Sequence, residues 1–239
     1  MSFVEKLHKK NIIAKPGFNR WLVPPASIAI HLCIGSVYAW SMFNPALIKT
    51  IGVVTSSGDD WNLSQVVWIF SVAIVSLGFA AAYAGKWLEK VGPRMVGFFA
   101  ACCWGGGFII GSLGIYLQEN GVVINLSLPF VSPDEITMQL GLYLLYLGYG
   151  VIGGVGLGLG YVSPVSTLIR WFPDRRGMAT GMAIMGFGGG AMIAKFTIDK
   201  LLETFYKVPE YLGTLDSVEL ITEGGRRFAE ISGSMIEVV

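Results

Sequence analysis

The chain carries little with which to do covalent chemistry. Its three cysteines, Cys33, Cys102 and Cys103, all lie inside apolar runs. The adjacent pair Cys102–Cys103 could begin a metal or redox site, but no second cluster supplies further ligands. All three are read as small residues of a membrane core. No nucleophile–base constellation and no metal-ligand cluster stands in these runs, so neither cofactor nor metal is expected. What remains is binding chemistry. His31 is the only histidine inside an apolar run. His31, Gly35, Tyr38 and Met42 fall at i, i+4, i+7 and i+11, one face of an α-helix. A neutral imidazole and a phenol can hydrogen-bond a carboxylate, and an imidazole can take a proton near neutral pH. His31 serves equally well as a hydrogen-bonded contact between helices, since an unpaired polar group is costly in lipid. Trp68, Tyr146 and Tyr149 are weaker candidates for a cavity wall, because Trp and Tyr more often pack or anchor an interface. No Lys or Arg stands in the middle of a run. Lys195 lies towards the end of the last one, where it can snorkel.

The elements that must position these groups are membrane helices. Of the 239 residues, 53% are hydrophobic and only 14% charged, against about 25% charged in soluble domains. The net charge of +1 offers no field to recruit nucleic acid. Five stretches reach the roughly 20 apolar residues that a bilayer requires: 21–48, 66–87, 95–117, 138–169 and 178–198. No cleavable signal peptide precedes them. The expected fold is therefore an all-α membrane bundle. Residues 1–20 form a cytoplasmic tail, 21–198 the spans, and 199–239 a polar extracytoplasmic segment with no domain of its own.

Basic residues set the orientation. The tail holds Lys6, Lys9, Lys10, Lys15 and Arg20. The turn between spans two and three holds Lys86, Lys90 and Arg94, and that between four and five holds Arg170, Arg175 and Arg176. The opposite loops, 50–64 and 118–137, have neither Lys nor Arg and carry Asp59, Asp60, Glu119, Asp134 and Glu135. The alternation supports both the span count and a cytoplasmic N-terminus, in the plasma (inner) membrane, with the lipid bilayer as the first partner.

Thirty-two glycines need a reason of their own. Between helices in lipid, close backbone approach replaces the hydrophobic drive, and small residues three or four apart permit it. Gly150, Gly154 and Gly158 make one stripe on span four, with Gly156 and Gly160 on a second. Span five opens with Gly177 and Gly181, followed by Gly186 and Gly190. Ser64, Ser71, Gly78 and Gly85 recur every seven residues on span two. These faces suit static packing or sliding during a cycle, and spacing alone does not separate the two. Gly154-x-Gly156 is no dinucleotide loop, because it lies within a span rather than between strand and helix.

In the turn RWFPDRRG, Pro173 stops a helix, Asp174 stands where it can cap the next, and the arginines face the lipid surface. The turn GKWLEKVGPR, from Gly85 through Glu89 and Gly92 to Arg94, resembles the signature between the second and third helices of the major facilitator superfamily. It departs in having Glu89 for the usual Asp, Trp87 for Leu and Pro93 for a basic residue. Three further stretches, GSVYAWSMFNP, WNLSQVVWIFS and GYVSPVSTLIRWFPDRRGMATGMAIMGFGGGAMI, resemble that superfamily's oxalate/formate antiporter branch, over about 21–198. The resemblance implies twelve spans in two six-helix halves around a site open alternately to each side. It implies transport of a small organic anion, a mono- or dicarboxylate such as oxalate, formate or pyruvate, with a proton or a counter-substrate as coupling partner. This sequence would supply spans one to five, and the anion-pairing basic residues would belong to the absent second half. The resemblance supports an aromatic cavity at His31 and Tyr38. Glu89, Arg94, Arg170, Asp174, Arg175 and Arg176 all lie on the cytoplasmic side. Ion pairs there can gate the inner side, or the charges serve topology and lipid attraction alone. Glu89 and Arg94 occupy the signature positions. The rival readings are a five-span scaffold or assembly subunit, and a membrane enzyme, which the lack of intramembrane acids and histidine pairs disfavours.

Overall fold

The computed structural model describes residues 3–9, 13–48, 53–54, 61–120, 122, 124–127, 137–205, 211–213, 220–223, 226–231 and 234–238. Five helical segments are long and apolar enough to cross a membrane: Arg20–Met42, Leu63–Val91, Pro93–Gln118, Leu140–Trp171 and Arg176–Phe205. They are spans one to five, and they match the five apolar runs. The last extends seven residues beyond its run, because DKLLETF is polar but made largely of good helix formers.

A short helix, α1 (Phe3–Leu7), precedes the spans. Span one opens with a 3₁₀ turn at Arg20–Leu22 and continues as α2 (Val23–Ile34), with Pro24 and Pro25 in its first turn, where no N–H partner is lost. From Gly35 to Met42 it tightens into a 3₁₀-helix. Eight residues exceed the usual 3₁₀ run. The short helix α3 (Asn44–Leu47) follows. Span two is α4 (Leu63–Val91), and span three lies within α5 (Pro93–Glu119). A single residue, Gly92, separates them. Its φ of 94° and ψ of 164° belong to a region essentially closed to other residues. Pro93 then starts α5 with its φ already set. Span four is α6 (Leu140–Leu145), a π-helical stretch (Tyr146–Gly153) and α7 (Gly154–Trp171). Span five is α8 (Arg176–Phe205).

The chain divides into two units. The first comprises Met1–Tyr38 and Trp68–Ala194, and span four is its hub. The two glycine stripes of span four face different neighbours. A Cβ at Gly154 would stand 2.6 Å from the Ala73 carbonyl oxygen, and one at Gly158 would stand 2.5 Å from that of Leu77, both on α4. On the other stripe a Cβ at Gly156 would meet the Trp104 nitrogen of α5 at 2.5 Å, and one at Gly148 the Gly107 oxygen at 2.7 Å. Spans one and five meet in the same way, with Gly35 against the Phe187 carbonyl and Gly190 against that of Leu32. Two strands, β2 (Asn125–Ser127) and β3 (Thr137–Gln139), pair antiparallel between spans three and four.

The second unit comprises Ala39–Val67 and Lys195–Val239. In it the Trp40 indole N–H donates to the Val66 carbonyl at 3.2 Å. Strand β1 (Val53–Val54) pairs antiparallel with β4 (Tyr211–Gly213). β5 (Leu220–Glu223), β6 (Arg226–Ile231) and β7 (Ser234–Val238) form an antiparallel three-stranded sheet. Among its described residues, the polar segment 199–239 begins as helix and carries four strands. All the strands are short and lie outside the five spans, so the architecture remains a helical membrane bundle. The acidic loop residues Asp59, Asp60, Asp134 and Glu135 lie outside the described residues.

Of the four α8 glycines read as packing residues, Gly186 and Gly190 are in contact and Gly177 and Gly181 are not, among the described residues. A Cβ at Gly177 or Gly181 meets nothing within 4 Å, whereas Gly186 lies against His31 and Ile28. Gly158→Ala should therefore destabilise the detergent-solubilised protein by about 1–3 kcal/mol through overpacking, while Gly181→Ala should stay within about 0.5 kcal/mol of the parent. Thermal unfolding of the two variants side by side checks this.

Candidate functional site

His31 lies on α2 and is fully buried, at 0% exposure. Its Nε2 faces the Tyr161 backbone oxygen of α7 at 3.3 Å. A carbonyl only accepts, so Nε2 carries the proton in the neutral ring. Nδ1 is buried and has no hydrogen-bond partner among the described residues. Rings surround the imidazole. Tyr161 is 5.5 Å away between centroids and Phe187 of α8 is 6.2 Å away, both edge-on. Phe187 in turn touches Tyr161 at 5.3 Å and Tyr38 at 5.2 Å. Tyr38 reaches Phe70 of α4 at 6.3 Å and is itself half exposed. Spans one, two, four and five therefore each contribute to one connected aromatic group, in which span two joins through Tyr38 rather than Phe187.

Three of the four residues read as one face of span one share a neighbour, though the helix type changes at Gly35. His31, Gly35 and Tyr38 all meet Phe187. In the 3₁₀ stretch residues i and i+3 eclipse, which keeps Tyr38 above Gly35. The other predicted wall residues lie elsewhere. Trp68 is 64% exposed and makes no ring contact with the group. Tyr149 is buried against Trp104 and Phe108 of α5, each at 5.4 Å. Tyr146 is half buried in the π-helical stretch. Phe70, Tyr161 and Phe187 escaped the sequence reading, because in an almost wholly apolar helix no polar contrast marks the face that matters.

The charged turns assemble at a second place. The Arg20 guanidinium donates to both carboxylate oxygens of Asp174, at 3.0 and 3.1 Å. Its Cζ stands 4.9 Å from the centre of the Phe172 ring. Arg175 approaches the same carboxylate at 3.8 Å. Arg170 meets Glu89 at 3.3 Å, and the Lys9 ammonium donates to the Glu89 backbone oxygen at 2.9 Å. The Ser163 hydroxyl donates to the Pro93 carbonyl at 3.0 Å, tying the start of α5 to α7. Gly85, at the head of the signature turn, has open space where a Cβ would stand, while Gly92 supplies the backbone reversal. Asp174 was expected to cap a helix, but its carboxylate is taken by Arg20, a partner 154 residues away.

Arg94 makes no side-chain hydrogen bond or ion pair among the described residues. It lines a mainly apolar cavity of ≈ 920 Å³ between the N-terminal segment and spans one, three and four, with Phe18, Ile30 and Trp104. None of the aromatic group around Phe187 lines that cavity. Among the described residues no group of three or more His, Cys, Asp or Glu could hold a metal. Cys33 and Cys102 stand exposed on their helices, and all three thiols are free.

The Arg20 guanidinium beside Asp174 holds its carboxyl below the usual carboxylate range. A lowered pKa in the folded state means that the pair favours that state above the ordinary Asp pKa of about 3.9, and that this is lost as pH falls through the lowered value. The Asp174 carboxyl carbon, followed by NMR, should titrate below about 3.9. Arg20→Gln should move the midpoint back up.

Residues 31–198 match the family model of the Major Facilitator Superfamily. An uncharacterised transporter of that type from Escherichia coli (YhjX) is 31% identical over 185 residues, covering 77% of this chain and 38% of the relative. Apicoplast pyruvate carrier 1 of Toxoplasma gondii is 26% identical, covering 70% of this chain and 32% of the carrier. The oxalate:formate antiporter of Oxalobacter formigenes is 26% identical, covering 73% and 34%. The chain thus spans 32 to 38% of the length of these relatives. With five membrane-spanning helices and a family match across all of them but the start of the first and the end of the last, the chain belongs to the Major Facilitator Superfamily.

Proposed function

We propose that the chain is the N-terminal part of a secondary transporter that moves a small mono- or dicarboxylate by alternating access. The observation that carries this reading is the connected group of rings from spans one, two, four and five, in which His31, Tyr38 and Tyr161 meet Phe187 and Phe70 meets Tyr38, with the half-exposed Tyr38 phenol at its edge. Aromatic edges are electropositive and a phenol donates a hydrogen bond, so such a wall accepts an anion without a fixed charge of its own. The cationic partner of the anion then belongs to the other half. Relatives named for pyruvate and for oxalate and formate agree with this substrate class. The N-terminus lies in the cytoplasm of the plasma (inner) membrane, in keeping with the basic tail and basic even-numbered turns.

In this reading the ion pairs act inside one half. Arg20–Asp174 ties the N-terminal segment to the turn between spans four and five, and Glu89–Arg170 ties the signature turn to span four. They brace the half as a rigid body, which rocks against the other. Arg94, which has no such pair among the described residues, is the group available for a contact that forms and breaks in the cycle.

The test is uptake of labelled pyruvate, oxalate and formate into proteoliposomes holding the protein expressed from its whole coding sequence. At least one should be taken up saturably. Tyr38→Phe should raise KM about tenfold, the value of one hydrogen bond to a charged group, and Trp68→Phe should leave it unchanged. Glu89→Gln with Arg94→Gln should slow transport while membrane insertion stays intact. No uptake of any of the three anions would refute the substrate class.

A further inference from the structure

We infer that His31 is the proton acceptor that couples anion binding to proton binding, an inference that rests on the carboxylate reading above. The imidazole lies where α2, α7 and α8 meet, with no exposed surface. Its Nε2–H is committed to the Tyr161 carbonyl, and Nδ1 presents a lone pair to which none of the described residues donates. A buried acceptor left bare inside a bilayer is costly, and a proton on Nδ1 would end that state. No carboxylate or cation hydrogen-bonds or pairs with the ring among the described residues. The titratable groups close to it are Tyr161 of span four, in ring contact, and Tyr38 of its own span. Span five presents Phe187 and Gly186. The neutral ring is therefore short of a donor, and the protonated ring is short of an anion.

Substrate supplies what the protonated ring needs. Tyr38 and His31 both touch Phe187, at 5.2 and 6.2 Å between centroids, so an anion on the Tyr38 phenol is separated from the imidazole by no more than one shared ring. At roughly 11 Å, the reach through the shared ring, and an effective dielectric constant of about 20, a unit negative charge favours the protonated ring about tenfold. Reciprocity then strengthens anion binding to the protonated form by the same factor. The step is balanced: one proton adds to Nδ1 as one carboxylate binds on one side, and both leave on the other. For a monocarboxylate the loaded site carries no added charge.

The experiment uses proteoliposomes of the protein expressed from its whole coding sequence, with a trapped pH-sensitive dye and pyruvate as probe. An inward pyruvate gradient should acidify the lumen, and uptake should ignore an imposed membrane potential. KM for pyruvate should rise by up to about tenfold between pH 6 and pH 8. His31→Gln keeps an N–H for the Tyr161 carbonyl but cannot take the proton, so it should abolish the acidification and flatten the pH profile. Uptake without acidification overturns the proposal, as does potential-driven uptake, and both are read on the unaltered protein should the variant fail to fold. Acidification by His31→Gln equal to the parent's also overturns it. Saturable uptake of oxalate or formate but not pyruvate, with no luminal acidification, leaves the carboxylate reading standing and overturns the proton coupling alone. Uptake of none of the three overturns both.

Discussion

Two apolar helices in a bilayer gain nothing by hiding from their surroundings, because the lipid tails are as apolar as their side chains. What holds them is contact at distances that only glycine permits. In this chain Gly154 and Gly158 bring span four onto the backbone of span two, and Gly148 and Gly156 bring it onto span three. Gly35 and Gly190 do the same for spans one and five. Everything else follows from these approaches. His31 is sealed because Gly186 lets α8 come up to it, and the Tyr161 carbonyl reaches its ring because α7 is held nearby.

Close packing of backbones leaves side chains free for a different role. The connected rings around Phe187 and Tyr38 come from spans one, two, four and five. The ion pairs at the ends are half exposed, and their part is to fix register rather than to bind the bundle together. Structural and functional residues are thus separated by type, with glycines for the frame and aromatic rings for the site.

Several features were legible in the sequence for plain physical reasons. Spans need about 20 apolar residues, and alternating basic turns count them. The stripes Gly150, Gly154, Gly158 and Gly156, Gly160 follow from helical spacing. Other features had no local signature. α8 is glycine-rich all along its length, so spacing could not choose between Gly177, Gly181 and the contacting pair Gly186, Gly190. The 3₁₀ run Gly35–Met42 and the π-helical stretch Tyr146–Gly153 contain no residue that an ordinary α-helix forbids. Arg20 and Asp174 are joined only by the fold. In the polar segment the signal was present but unread: Gly224–Gly225 separates two strand-length runs of mixed pattern, a hairpin spacing.

The π-helical stretch has a consequence for how span four is compared with its relatives. Its hydrogen bonds reach one residue further than those of an α-helix, so it holds more residues per turn. By Gly154 the chain has fallen out of angular step with the projection that starts at Leu140. A single helical wheel drawn through Leu140–Trp171 therefore assigns half of its positions to the wrong sector. Span four needs two wheels, one on either side of Tyr146–Gly153. A homologue one residue shorter in that stretch could present the same two faces with a plain α-helix throughout.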